Sequence, residues 1–163
     1  MTLRADAVIQ ELGPALARVA ASYERNRALR EELLQEIFLA IVTALPRLKD
    51  RAKLRPFVFR IAHNRAVRHI VKRMSEPATR DKLDHVAADA PPHDQSIIAR
   101  EQSEALLEAI RSLSLPYRQV MTLLLEDLSY PEIAEVLDIT AVNVGVRVSR
   151  AKQLLKEHLD HGR

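Results

Sequence analysis

A chain of 163 residues without a single cysteine can fold as one ordinary domain or two small helical ones, and it cannot carry a disulfide framework or a thiolate metal site. Its 3 glycines leave no room for a phosphate-cradling loop or a nucleophile elbow, and β-branched alternation is nearly absent, so the fold expected is all-α. No apolar run approaches membrane-spanning length and the N-terminus lacks a signal-peptide core; no membrane insertion is expected, and the chain reads as soluble and cytoplasmic.

Residues 7–24 place Val8, Ile9, Leu12, Leu16, Val19 and Tyr23 on a helical stripe, with Gly13 and Pro14 expected to break or kink the helix near its start. Residues 28–45 sustain a wide apolar face of Leu29, Leu33, Leu34, Ile37, Phe38, Ile41 and Val42, while Glu31, Glu32, Gln35 and Glu36 crowd its first half. Acids there suit the helix dipole without any further role. Pro46 ends that helix.

The formal charge of +3 is unevenly spread. Residues 47–73 carry Arg47, Lys49, Arg51, Lys53, Arg55, Arg60, Arg65, Arg68, Lys72 and Arg73 against one acid, Asp50. Such density repels itself unless a polyanion faces it. Within it Phe57, Ile61, Val67 and Val71 can bury, whereas Phe59, His63 and Asn64 sit among the arginines. Each phenylalanine alone could be core beneath a solvated basic face. The cluster as a whole has what single-stranded nucleic acid requires, cations for phosphates, flat partners for unstacked bases and an amide to read an edge.

Residues 74–96 lose any helical stripe and are rich in Ala, Asp, Pro and Ser, a flexible linker that divides the chain into a first module (1–73) and a second (97–163). In the second, Ile98, Ala105, Leu106, Ala109, Ile110 and Leu113 mark one helix, and Pro116 opens another containing Val120, Leu123, Leu124 and Leu125. Residues 128–156, LSYPEIAEVLDITAVNVGVRVSRAKQLLK, then read as two helices and a tight corner. Ser129 and Glu132 form a capping box, Ile133, Ala134 and Leu137 an inward stripe, and Thr140 the next N-cap. Val144, Val148, Ala151 and Leu155 make one buried seam; Asn143, Arg147, Ser149, Arg150, Lys152, Gln153 and Lys156 occupy the other faces. This is the outline of a helix-turn-helix with its second helix in a DNA major groove, though an antiparallel pair with a solvated basic face shares it.

Catalysis finds no support. The six histidines are scattered, and only His158 and His161 have helical spacing, so neither a metal site nor a catalytic residue nor a cofactor is expected. Glu31, Glu32 and Glu36 have no histidine nearby in sequence.

Together the two modules resemble the extracytoplasmic-function group of sigma-70 family RNA polymerase sigma factors. The resemblance is carried by ELLQEIF at 32–38, FVFRIAHN at 57–64, Leu115, Pro116, Arg118 and Val120, LSYPEIA at 128–134 and the run from Val144 to Ala151. It implies that Glu32, Gln35 and Glu36 dock on the clamp helices of the polymerase β′ subunit. It implies that Arg51, Lys53, Phe57, Phe59, His63, Asn64, Arg65 and Arg68 open the promoter at its −10 element and hold flipped bases. Ser129, Tyr130, Asn143, Ser149, Arg150 and Gln153 would bind the −35 element near the β flap, and an anti-sigma factor would clamp both modules. Departures from the family pattern are Leu29 and Arg30 at acidic positions, Phe57 for tryptophan, Asp138 for the corner glycine, and Gly145 and Val146 at basic and serine positions. The rival readings are a stand-alone helix-turn-helix regulator and, more distantly, a structural adaptor on the polymerase.

Overall fold

The computed structural model describes residues 4–76 and 97–161, and those residues are helical without a strand. Helix α1 spans Ala5–Tyr23, α2 Arg27–Ala44 and α3 Leu54–Met74, with 3-10 turns at Leu45–Arg47 and Arg51–Lys53 between α2 and α3. The second half contains α4 (Ile97–Ser112), α5 (Leu115–Leu125), α6 (Tyr130–Leu137) and α7 (Ala141–His161). The linker expected from residue 74 gives up Met74 to α3, and its stretch 77–96 lies outside the described residues.

Of the break or kink expected at Gly13 and Pro14, the break does not occur, and α1 runs through both residues. Proline in a helix interior costs about 3 kcal/mol through a lost N–H and a carbonyl clash. Here Pro14 is on the exposed side, and the buried seam of Val8, Leu12, Leu16, Val19 and Tyr23 continues on both flanks, which holds the helix together across it. In α2 the buried stripe is narrower than the pattern suggested. Leu29, Leu33, Ile37 and Ile41 are buried, Leu34 and Phe38 are half-buried, and Val42 faces out beside Leu39. Asn26 caps this helix by accepting from the Leu29 N–H at 3.0 Å.

The first three helices close around Glu24, the residue after α1. Its carboxylate is 3% exposed and accepts from His69 Nε2 at 2.7 Å, Arg73 Nε at 2.7 Å and the Asn26 N–H at 2.9 Å. One acid thus ties the end of α1, the start of α2 and the last turns of α3. Burial alone would push its pKa up; the hydrogen bonds from His69, Arg73 and Asn26 outweigh that and hold it at about 2.

In the second module α5 and α6 pack on the seam of α7, and α4 lies across α5 and α7. The two modules are not separate beads, because buried apolar side chains of both form one contiguous core. Arg18 of α1 grips Glu126 at the end of α5 as a fork, with contacts of 2.8 and 2.9 Å, and Arg111 of α4 donates to the Ala21 carbonyl at 2.8 Å. Arg118 caps the end of α4 by donating to the Arg111 and Leu113 carbonyls at 2.6 and 3.2 Å, and its guanidinium lies 5.7 Å from the Tyr23 ring centroid. Arg25 pairs with Glu108 across the same boundary.

The folded-state pKa of Glu24 lies below its ordinary 4.5, so its contribution to stability is present above that pH and is lost as pH falls from 4.5 towards 2. Urea unfolding across that window should show the wild type losing on the order of 3 kcal/mol more than Glu24→Gln. Equal pH slopes for the two proteins would contradict the clamp.

Candidate nucleic-acid interface

Helix α3 supplies most of the expected DNA-opening set, but its phase differs from the sequence expectation. Val58, Phe59, Ala62, His63 and Ala66 form the buried seam, while Phe57 and Ile61 are half-buried shoulders and Val71 is 61% exposed. Phe59 and His63 therefore cannot hold a flipped base in this conformation. Phe59 is wholly buried beneath the Arg55 guanidinium, which sits 5.6 Å from its ring centroid. His63 is 4% exposed, with Nδ1 3.0 Å from the Tyr23 hydroxyl and the rings edge to face. Burial pushes its pKa down to about 4, so the ring is neutral at pH 7. The physical reason is close packing: the small Ala62 and Ala66 let α3 approach its neighbours along this line, and the Tyr23 hydroxyl pairs with Nδ1 of the one polar ring that the line contains, while its Nε2 is buried without a hydrogen-bond partner among the described residues.

The rest of the set stays accessible. Arg51, Asn64 and Arg68 are exposed and Arg65 is half-buried. Asn64, Arg65 and Arg68 line a cleft of about 870 Å³ together with Glu36, Leu39 and Thr43 of α2 and Gln119, Val136 and Leu137 of the second module. The structure thus gathers Glu36 and the asparagine–arginine group around one opening, which linear spacing did not reveal. On α2, Glu32, Gln35 and Glu36 are exposed and share a face with Leu39, 68% exposed, and Val42, 45% exposed. Acids beside bare aliphatic side chains suit a protein partner with cations and apolar pockets.

Several cations of the basic stretch meet the second module. Arg55 donates to the Glu126 carbonyl at 2.6 Å, Arg60 to the Glu135 carbonyl at 2.9 Å, and Lys53 lies 3.3 Å from the Glu135 carboxylate. The Lys53 pair is exposed on both sides and worth at most about 1 kcal/mol, which a phosphate can outbid. Sequence reading missed these partners because they lie more than seventy positions away.

The helix-turn-helix is built as its sequence indicates. Ser129 Oγ accepts from the Glu132 N–H at 3.2 Å and Glu132 Oε1 accepts from the Ser129 N–H at 2.9 Å, completing the capping box. Asp138 turns the corner at φ 56°, and Thr140 Oγ1 accepts from the Asn143 N–H at 3.1 Å. Val144, Val148, Ala151 and Leu155 are buried, and Asn143, Ser149, Arg150 and Gln153 are exposed on the side away from them. Tyr130, 39% exposed, lays its ring against Gly145, where an added Cβ would stand 3.6 Å from ring carbon Cε2. The exposed Val142 and Val146 were not among the expected contacts, although their positions off the apolar seam were readable from the helical period.

Comparison with known proteins adds two family matches, to sigma-70 region 2 over residues 8–76 and sigma-70 region 4 over residues 103–155. The chain is 28% identical over 150 residues to the ECF RNA polymerase sigma factor SigM of Bacillus subtilis, covering 89% of this chain and 88% of that protein. Among solved structures it is similar to CnrH in complex with the cytosolic domain of CnrY, with a TM-score of 0.71 and 24% identity over 98% of this chain and 89% of that one. It is also similar to the sigma factor RpoE in complex with the anti-sigma factor NepR from Bartonella quintana, with a TM-score of 0.72 and 24% identity over 94% and 97% of the two chains.

The exchange of inside for outside on α3 can be checked directly. Phe59→Ala should cost about 3–5 kcal/mol of folding stability, as for a fully buried aromatic, and the half-buried Phe57→Ala clearly less. Chemical denaturation of the two variants measures both, and the reverse order would restore the original phase.

Proposed function

We propose a division of labour for this chain, which belongs to the extracytoplasmic-function group of the sigma-70 family and is an RNA polymerase sigma factor. The first module docks core polymerase through Glu32, Gln35 and Glu36 on the β′ clamp helices and opens the −10 element with α3. The second module places α7 on the −35 element near the β flap. The protein performs no chemistry of its own; it works in the cytoplasm, where it directs the polymerase.

The observation that carries this reading is the single cleft bordered by Glu36 of the acidic, partly apolar face of α2 and by Asn64, Arg65 and Arg68 of α3. Docking and DNA opening are then adjacent functions of two packed helices. In this reading Asn64 reads the edge of a flipped base, Arg65 and Arg68 neutralise phosphates, and the half-buried Phe57 stacks or wedges. Unstacking a base costs a few kcal/mol, which stacking and charge must offset together. Reaching two promoter elements also requires the modules to part, releasing Arg55 and Arg60 from the carbonyls of Glu126 and Glu135 for the DNA backbone.

The similar solved structures hold partner proteins, the cytosolic domain of CnrY in one and the anti-sigma factor NepR in the other. By that likeness an anti-sigma protein holds this chain idle, and the exposed Leu39 and Val42, which the polymerase also needs, are a surface for which it would compete.

Run-off transcription with core polymerase tests the reading. Wild-type protein should give promoter-specific transcripts; Asn64→Ala should still recruit polymerase but open DNA poorly, and Glu36→Arg should weaken core binding. A footprint on DNA without polymerase, and no specific transcript from any genomic upstream region, would favour the stand-alone regulator instead. On the upstream element, Arg150→Ala should lose about 1–3 kcal/mol of discrimination between sites, whereas Lys156→Ala should weaken all sequences alike and flatten the salt dependence. Unchanged promoter preference in Arg150→Ala would show that α7 is docked differently.

A further inference from the structure

The first half of helix α7 carries two exposed apolar side chains that neither its core seam nor its polar reading set explains. With a turn of about 100° per residue, the side opposite Val144, Val148, Ala151 and Leu155 runs through Val142, Val146, Ser149 and Gln153. Val142 is 76% exposed and Val146 43% exposed, so two β-branched apolar residues occupy the middle of the outward face in its first half. Such residues are poor helix formers and gain nothing from water. Around them stand Asn143, Arg147 and Arg150, and α7 has no acid before Glu157. A cationic rim of this kind fits a polyanion, and it argues against an ordinary apolar protein partner. Gly145 leaves one flank of the patch without a side chain, and the Tyr130 ring settles against that bare position and walls it.

The apolar group that bases offer at the floor of the major groove is the C5-methyl of thymine. We propose that Val142 and Val146 read thymine methyl groups in the upstream promoter element. The first half of α7 then selects by methyl contact, and the second half, through Ser149, Arg150 and Gln153, by hydrogen bonds. One helical turn separates the valines by about 6 Å of rise. Successive bases stand about 3.4 Å apart along a strand, so the two side chains match methyls one or two steps apart. This inference rests on α7 being the promoter-facing helix of a sigma factor.

The test uses the full chain bound to core polymerase. Upstream duplexes are first selected from a randomised library, and the preferred duplex is rebuilt with deoxyuridine in place of thymidine, one position at a time, which removes a methyl and preserves pairing. At one or two neighbouring −35 positions deoxyuridine should weaken binding on the order of fourfold per methyl. Val142→Ala or Val146→Ala should lower affinity for the thymidine duplex by a similar factor and erase the deoxyuridine penalty at its own position. Lys156→Ala should weaken both duplexes equally. Both valines are on the surface, so alanine there preserves the fold. A deoxyuridine penalty that persists unchanged in both valine variants, or no penalty at any −35 position, overturns the proposal while promoter-specific transcription stays intact. Valine variants that bind DNA normally but lose polymerase affinity would assign the patch to a protein and overturn it equally. Absence of any promoter-specific transcription would instead sink the sigma reading, and this proposal with it.

Discussion

Positive charge packed into the middle of the molecule is the condition that the rest of the structure has to meet. Helix α3 and the turn before it are dense in cations, yet α3 is also central, touching α1, α2 and α6. The conflict is resolved by direction. Along the inward line the chain places Val58, Ala62 and Ala66 with an aromatic and a neutral imidazole, and the cations point sideways or outward. Those that point sideways meet oxygen: Arg55 and Arg60 reach main-chain carbonyls of the second module, and Arg73 reaches the buried Glu24. Carbonyl partners answer a guanidinium without bringing in another full charge. Arg51, Asn64 and Arg68 point outward, with Arg65 half-buried beside them.

The same arrangement couples the two modules. Glu126 closes α5, is held by the Arg18 fork through its side chain and receives Arg55 through its carbonyl, so one residue fixes the entry to the helix-turn-helix against both α1 and α3. Helix α6 then lies along α3, and the outward face of α7 stays open. In this packed state the outward face of α7 is exposed, while Arg55 and Arg60 of the basic α3 are engaged with the second module. A two-element DNA reader built this way can be held in check by anything that favours the packed state, because separation must break charged and apolar contacts together.

Much of this was legible in the chain. The capping box at Ser129, the corner at Asp138 and the seam of α7 are local chemistry, set by residues within a few positions of one another, and they stand where the sequence indicated. The phase of α3 was not legible. Two apolar lines run along that helix, and the buried one sets the His63 ring against Tyr23, forty positions earlier, a contact that local periodicity does not carry. The break expected at Pro14 does not occur for a related reason: a proline's local cost is visible in sequence, whereas the tertiary seam that overrides it is not. The clamp at Glu24 and the carbonyl caps on Arg55 and Arg60 join distant segments, and single-chain periodicity carries no trace of them. The exposed Val142 and Val146 are the opposite case, a signal present in the helical period that only exposure makes meaningful.

Both corners that frame α6 are made by aspartates in the left-handed region, Asp127 at φ 65° and Asp138 at φ 56°, and none of the described glycines has a positive φ. Glycine would take these angles more easily in the folded chain, but it would also leave the unfolded chain freer. Aspartate accepts a modest strain and narrows the alternatives. The angle between α6 and α7 is thereby settled before any duplex arrives, and association need not fund the ordering of a hinge. Preorganisation of this sort sharpens discrimination between sites: a stiff pair of helices cannot tilt to excuse a poorly matched groove, so a wrong base is felt as lost contact and not absorbed by adjustment.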